Sequence, residues 1–412
     1  MHGHLPARSR QGQGHFAAQA PGGAGDQDGG KGRGAHCNDN CEVTDSNPAS
    51  VTTALRTLLR GAITRAEGWL PFDRYMALAL YAPGLGYYGN GSRKFGHLPA
   101  SGSDFVTAPE MTPLFGQTLA VAVADALAAT GCDEIWEFGA GSGALASQLL
   151  QALGDRVRRY TIVDLSGTLR ARQQATLAAH GDTVQWASEL PEAMRGVVVG
   201  NEVLDAMPVK LLARIAGVWH ERGVVWQDDC LAWADRPTDL RPPVEIDGTH
   251  DYLTEIHPQA QAFVRTLADR LTQGAAFFLD YGFPESEYFH PQRHMGTLMC
   301  HQGHRADPDP LADVGLKDIT AHVDFTGVAL AAQEAGLPTL GYTSQGRFLL
   351  NCGLAQVLAE APLAEAPLAE RVAGQRLMAE HEMGELFKVI AFHKGPAWDA
   401  IGFIHGDRTA RL

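Results

Sequence analysis

Seven residues, Glu137-Phe-Gly-Ala-Gly-Ser-Gly143, restrict the fold of this 412-residue chain more than any other stretch. They close a short run, Glu134 to Phe138, that reads as a strand, and they precede a helical pattern reaching about Leu153. Glycines at alternate positions let the backbone turn sharply and approach a ligand where a Cβ would clash. A strand that ends in such a turn and feeds a helix is a nucleotide-type site, with the ligand at the carboxyl end of the strand. The spacing is Gly-x-Gly-x-Gly rather than Gly-x-Gly-x-x-Gly, which disfavours a dinucleotide pyrophosphate and weakens an NAD-dependent oxidoreductase reading. Asp164 ends the next predicted strand, Tyr160 to Asp164, where an acidic side chain can accept both hydroxyls of a ribose. Turn and acid together specify a nucleoside-bearing cofactor.

The surrounding pattern is that of an α/β chain. After Asp164 a helix is predicted to about Ala179, then strands at Thr183 to Ala187 and Val197 to Val199. This alternation argues for a mostly parallel sheet with helices on both faces. Leu211 to Trp226 differs: two β-rich runs meet at Ala216-Gly217, an antiparallel hairpin and hence an insertion. A helix from about Pro258 to Gln273 leads into Ala275 to Tyr281, an apolar central strand. A helix near Val328 to Ala335, a strand near Thr339 to Tyr342 and a last strand at Leu386 to Phe392 complete the pattern.

Upstream, Leu55, Leu58, Leu59 and Ile63 fall at helical spacing, closed by Gly68. Pro71 opens a second helix carrying Phe72, Tyr75, Met76 and Leu80, stopped by Pro83-Gly84, and Gly86 to Gly102 reads as a long loop. Thr107-Ala-Pro-Glu110 reads as a capping box before the apolar run Leu114 to Ala129, with Gly131 as its C-cap. The expected organisation is a disordered tail over 1–50 and an N-terminal helical, cofactor-covering segment over 51–131. A catalytic domain follows over 132–395, with a β-rich insertion at about 210–255 and a His-rich loop at about 284–325, and 396–412 form a C-terminal tail. The Leu-Ala-Glu-Ala-Pro repeat within Leu358 to Glu370 reads as a linker with no catalytic part.

Composition excludes several classes. The net charge is -14 and no long Lys/Arg run occurs, so no nucleic-acid partner is expected. The stretch Leu119 to Ala129 is interrupted by Asp125 and too short to span a bilayer, and no apolar segment opens the chain as a secretory signal would. Six scattered cysteines fit a reducing compartment. Two groups could in principle hold zinc: His36 with Cys37 and Cys41, and His290, His294, His301 and His304 with Cys300. The first lacks a second ligand pair and the second reads as a polar loop, so no metal is expected.

Longer strings carry a family resemblance: Tyr81-Ala-Pro-Gly-Leu-Gly-Tyr-Tyr88, Gly102-Ser-Asp-Phe-Val-Thr-Ala-Pro-Glu110, Phe115-Gly116, Asn201-Glu-Val-Leu-Asp-Ala-Met-Pro-Val209, Asp280-Tyr-Gly282 and Asp318-Ile-Thr-Ala-His-Val-Asp-Phe325. On these the chain resembles the MidA-like methyltransferases over roughly Leu58 to Phe392. The resemblance implies a Rossmann-like, seven-stranded class I methyltransferase sheet and S-adenosylmethionine as cofactor. It places Glu137, Gly139, Ala140, Gly141 and Gly143 around the methionine part and Asp164 on the ribose, where the family often has Glu. Leu165 and Ser166 beside Asp164, and Asn201 after the fourth strand, complete the expected contacts, while Asp104 and Thr107 lie in a motif expected to fold over the cofactor.

The acceptor side is expected at the same sheet edge. Methyl transfer to a guanidinium needs carboxylates that hold the cation, and Glu202 and Asp205, three apart, share one face of a helical turn. Their bland alternative is to cap and charge a helix start. Asp280 and Tyr281 end a central strand and point to the cleft, although Tyr281 also reads as a packing aromatic. His322 and Asp324 could orient the acceptor or relay a proton. The motif lacks the Asn/Asp-Pro-Pro-aromatic pattern of enzymes that methylate bases, which argues against DNA. The resemblance implies methyl transfer to an arginine of a protein partner. The alternative is an assembly chaperone that binds the cofactor without turnover. A bacterial-type cytoplasmic location is expected, or the mitochondrial matrix for a eukaryotic source.

Overall fold

Residues 48–90, 107–164, 167–360 and 368–412 are described by a computed structural model. Val51, Leu55, Leu59 and Ile63 recur every fourth residue and bury one stripe of α1 (Pro48–Arg65), so the apolar period accounts for the helix. Gly68, at φ 87, follows it, and its N–H returns to the Ile63 oxygen at 2.9 Å. A two-residue strand, β1 (Leu70–Pro71), precedes α2 (Phe72–Tyr81). Next come α3 (Ala108–Met111) and α4 (Leu114–Thr130), the latter ending at left-handed Gly131 as expected. The capping box expected at Thr107 is not made. Its side chain caps nothing, Thr112 is extended and Pro113 starts a separate helix, because prolines at 109 and 113 interrupt the helical ladder.

Strands and helices then alternate through β2 (Glu134–Phe138), α5 (Ala144–Leu153), β3 (Arg159–Val163), α6 (Gly167–Thr176), β4 (Val184–Ala187) and β5 (Met194–Asn201). An insertion follows, formed by β6 (Lys210–Ile215), β7 (Val218–Gln227), β8 (Cys230–Pro237) and β9 (Tyr252–Ile256). The expected hairpin turn is Ala216-Gly217, both at positive φ as a two-residue turn of primed type requires. The chain returns through α7 (Pro258–Arg270) directly into the long strand β10 (Leu271–Phe283), so the helix stops earlier and the strand starts earlier than their apolar patterns predict.

The region expected as a His-rich loop is instead structured. It holds α8 (Glu285–Tyr288) and a small sheet of β11 (Met299–Gln302), β12 (Arg305–Asp307) and β13 (Asp318–Thr320), ordered β12-β11-β13. Then come β14 (Val323–Asp324), α9 (Phe325–Glu334), β15 (Thr339–Ser344), α10 (Gln345–Asn351), α11 (Leu354–Glu360), α12 (Leu368–Met378) and β16 (Phe387–Lys394).

The main sheet runs β15-β16-β10-β5-β2-β3-β4, seven strands on one path, with β14 pairing the end of β10. From β10 to β4 the pairs are parallel, and β16 is antiparallel to both neighbours. Side chains alternate across it. Val197, Val199, Phe277 and Leu279 enter the core under α4, α5 and α10, while Val198, Ala276 and Phe278 enter the core under α7 and α9. This is the mostly parallel sheet with helices on both faces that the alternating pattern implies, with the seven strands that the family resemblance implies.

A third core joins α1 and α2 to β6, β7 and β13. The N-terminal helices and the insertion, expected as separate segments, therefore form one subdomain, sealed where β1 pairs with β7. Residues 396–412, expected as a tail, also pack: Trp398 Nε1 and the Ile401 N–H both donate to Asp125 Oδ2, at 2.9 and 3.1 Å, and Phe403 enters the first core. No helix among the described residues is long and apolar enough to cross a membrane.

Candidate active site

The Gly-rich turn lines a cavity of about 790 Å3 at the carboxyl ends of β2, β3 and β5. Gly139 and Gly141 stand at φ 64 and 53, and a Cβ at Gly139 would press on Val203 at 3.0 Å. Gly143, at φ 85, is the N-cap of α5 and does not line the cavity, so it serves the turn. Glu137, Ala140, Asp164, Asn201 and Thr107 do line it, with Phe138, Leu145, Leu169, Leu190 and Phe263 supplying apolar surface. Glu137 is buried and accepts from the Tyr160 hydroxyl at 2.7 Å. Burial pushes its carboxyl up to about 8 despite that hydrogen bond, and nearby Asp164 adds to the rise. Asp104, Leu165 and Ser166 lie outside the described residues.

Two features here had no sequence signal. Gln173 on α6 is fully buried; its Nε2 donates to Asp164 Oδ2 at 2.8 Å and to the Gly141 oxygen at 3.2 Å, while its Oε1 accepts from Trp186 Nε1. It ties Asp164 to the glycine turn. Across the cavity, the Ser142 hydroxyl donates to Glu110, and Gln148 Nε2 donates to the Pro109 oxygen at 2.7 Å. These bonds dock the segment that starts at Thr107 onto the turn. The set suits a nucleoside bearing an amino acid: an acid for ribose hydroxyls, apolar side chains for a ring, and N–H groups at the start of α5 for a carboxylate.

A second cavity, of about 450 Å3, shares Tyr88 and Glu202 with the first. Its lining includes Asp205, Tyr281, Arg293, Thr297, His301, Asp318 and His322. Glu202 follows β5 with φ 54, an uncommon conformation for a non-glycine residue. Asp280 explains how it is held: one oxygen, Oδ2, accepts from the N–H groups of Val203, Leu204 and Asp205 at 3.1, 2.9 and 3.2 Å. Asp280 is fully buried and lines neither cavity, so its carboxylate faces the turn and not the ligand space where it was expected.

Burial pushes Glu202 up to about 8, helped by the nearby Asp205 charge, although its side chain keeps some contact with the cleft. Asp205 is pushed up to about 6 by burial, against the pull of the Tyr281 hydroxyl, and its Oδ1 finds no hydrogen-bond partner among the described residues. Asn201 donates through Nδ2 to Glu202 at 3.0 Å, leaving its own Oδ1 unpartnered and buried. Tyr281 packs edge-on against His322 at 5.1 Å and lines the second cavity. His322 is lowered to about 4 by burial and by the charges of Arg293 and Lys388, and its Nδ1 is likewise unpartnered. Asp324 caps α9, accepting from the Gly327 N–H at 3.1 Å, and lines neither cavity.

Tyr88 and Asp318 sit in the quoted motifs, yet only the fold reveals their part: the Tyr88 hydroxyl donates to Asp318 at 2.9 Å in the wall of the second cavity. The four histidines disperse. His301 lines this cavity, His294 packs on His250, and His304 occupies a left-handed position in the β11–β12 turn. Among the described residues no three His, Cys, Asp or Glu side chains gather as a metal site would require.

A doubly wound sheet with a glycine turn after β2, an acid after β3 and an adjoining carboxylate-lined cavity defines a class I methyltransferase. Residues 118–343, more than half of the chain, match the model of a family of S-adenosyl-L-methionine-dependent methyltransferases. The chain belongs to this MidA-like family, whose cofactor is S-adenosyl-L-methionine. A Burkholderia thailandensis protein crystallised with S-adenosyl-homocysteine is 51% identical, with a TM-score of 0.85 over 90% of this chain and 100% of that one. Among curated relatives, the mitochondrial protein arginine methyltransferase NDUFAF7 homolog of Caenorhabditis elegans is 28% identical over 70% of this chain and 74% of its own. The human protein arginine methyltransferase NDUFAF7 is 27% identical over 74% of each chain.

Proposed function

We propose that this methyltransferase acts on an arginine side chain of a partner protein. The observation that carries the reading is the second cavity, where Glu202, Asp205 and Asp318 converge beside the cofactor cleft and Asp205 Oδ1 lacks a partner among the described residues. Buried carboxylates with raised pKa values are poised to take up a cation, because its charge offsets the burial that keeps them protonated. A planar guanidinium with five donors can pair with two carboxylates at once, which an ammonium does less well. The names of the relatives agree with this acceptor.

S-adenosylmethionine supplies the electrophilic methyl group when bound. The protein's own residues do the rest. Glu202 and Asp205 hold the guanidinium and localise its lone pair, and one of them takes the proton released as the nitrogen is methylated. Asp280 is a positioning residue that fixes the turn carrying both. His322, neutral at physiological pH, accepts a hydrogen bond from the acceptor through Nδ1.

The test is transfer of labelled methyl from S-adenosylmethionine to arginine-bearing and lysine-bearing peptides, with the products separated after acid hydrolysis. Methylarginine forms with the native chain, and Glu202→Gln and Asp205→Asn each lower kcat roughly 10²-fold or more while S-adenosylhomocysteine still binds. Label found only on lysine, or cofactor binding with no transfer to any arginine, would falsify the proposal.

A further inference from the structure

We infer that the acceptor arginine is presented together with an anionic group, an acidic side chain or a terminal carboxylate within two residues of it, and that Arg293 receives that anion. This deepens the arginine reading and rests on it. Among the described residues, Arg293 is the one permanent cation lining the cavity that holds Glu202, Asp205 and Asp318. Its guanidinium lies 3.8 Å from the ring centroid of Phe283 and has neither an ion-pair nor a hydrogen-bond partner among the described residues. It is only half exposed, so it forgoes part of its hydration without the carboxylate that would compensate. The contact with Phe283 restrains the guanidinium, which lowers the cost of ordering it when it binds a carboxylate in fork geometry.

The electrostatics of the incoming arginine point the same way. A lone guanidinium entering a cavity with Arg293 in its wall meets a like charge, and an anion carried beside it converts that repulsion into a second pairing. The cavity thus carries both signs of charge, with the acids Glu202, Asp205 and Asp318 and the cation Arg293 in one lining, and Glu202 shared with the cofactor cleft. A volume of about 450 Å3 is on the order of 10 Å across, and an extended peptide advances about 3.5 Å per residue, which sets the two-residue limit.

The experiment is a two-by-two cycle with the full chain and hexapeptides bearing one arginine, with aspartate or asparagine two residues away. Arg293→Gln, or asparagine in the peptide, each raises KM about tenfold with kcat little changed, and the two together raise it no more than either alone. Arg293→Glu paired with a peptide that carries lysine two residues from its arginine recovers part of the loss, which a merely structural role of Arg293 cannot do. Equal KM values for the two peptides on the native chain, or fully additive losses, overturn the inference and leave arginine methylation standing. Absence of methylation on every arginine peptide, with S-adenosylhomocysteine binding intact, overturns the arginine reading and this inference with it.

Discussion

Gln173 shows how one side chain, invisible to motif reading, can hold a binding turn together. Its amide bonds Asp164, the Gly141 carbonyl and the Trp186 indole simultaneously. Each lost hydrogen bond of this kind costs about 1 kcal/mol, so Gln173→Ala is expected to weaken S-adenosylhomocysteine binding roughly tenfold or more in a calorimetric titration. An unchanged Kd would remove Gln173 from the site. Glu137 makes a pH prediction. Its folded pKa is raised to about 8 from an ordinary 4.5, so the folded state keeps a proton that the unfolded chain has released. Its contribution to stability is complete below about pH 4.5 and is lost as pH rises through about 8. The cofactor-free native chain should therefore lose Tm relative to Glu137→Gln as pH climbs through that window. Parallel melting curves would contradict it.

At the scale of elements, the decisive contact is between the end of β10 and the turn after β5. Asp280 pairs with three successive N–H groups there and so keeps Glu202 in a conformation most residues avoid. Asp280 Oδ1 accepts from the Tyr281 N–H at 2.9 Å, so whichever way Asp280→Asn turns, its amide donor faces one of these N–H groups; kcat should fall at least about tenfold while cofactor affinity changes less than about threefold. Loss of both together would mean that the turn supports the cofactor cleft as well. The β1–β7 pairing is the second decisive junction. A Cβ at Gly223 would meet the Leu70 oxygen at 2.5 Å, leaving no room for a side chain. Gly223→Val should part β1 from β7 and make α1 and α2 more open to limited proteolysis than the main sheet. Uniform protection would argue against separate coupling.

For the whole molecule, the C-terminal segment closes the fold far from the chemistry. Phe403 is buried beneath α10, and Trp398 and Ile401 share Asp125 on α4. Phe403→Ala should destabilise the protein by about 3 kcal/mol or more, as emptied aromatic sites do, with S-adenosylhomocysteine affinity unchanged. A Tm equal to that of the native chain would show that 396–412 are dispensable.

The wall of the first cavity was legible because backbone geometry forces part of it: a sharp turn needs glycine at 139 and 141, and the next strand brings Asp164 to the same sheet edge. The alternating apolar pattern likewise determined the doubly wound sheet. Motif strings pointed to Glu202, Asp205, Tyr281 and His322, all of which line the second cavity. What the chain order could not convey is which side chains from distant elements meet. Asp280 turns inward to three N–H groups, Tyr88 reaches Asp318 across 230 positions, and Arg293 joins their cavity from the segment expected to be a loop. The C-terminal tail was misjudged for the same reason: residues 396–412 find partners far along the chain, and such partners exist only once the layers have packed. Local sequence governs local backbone, whereas burial, and with it the raised pKa of Glu202 and Asp205, belongs to the tertiary fold.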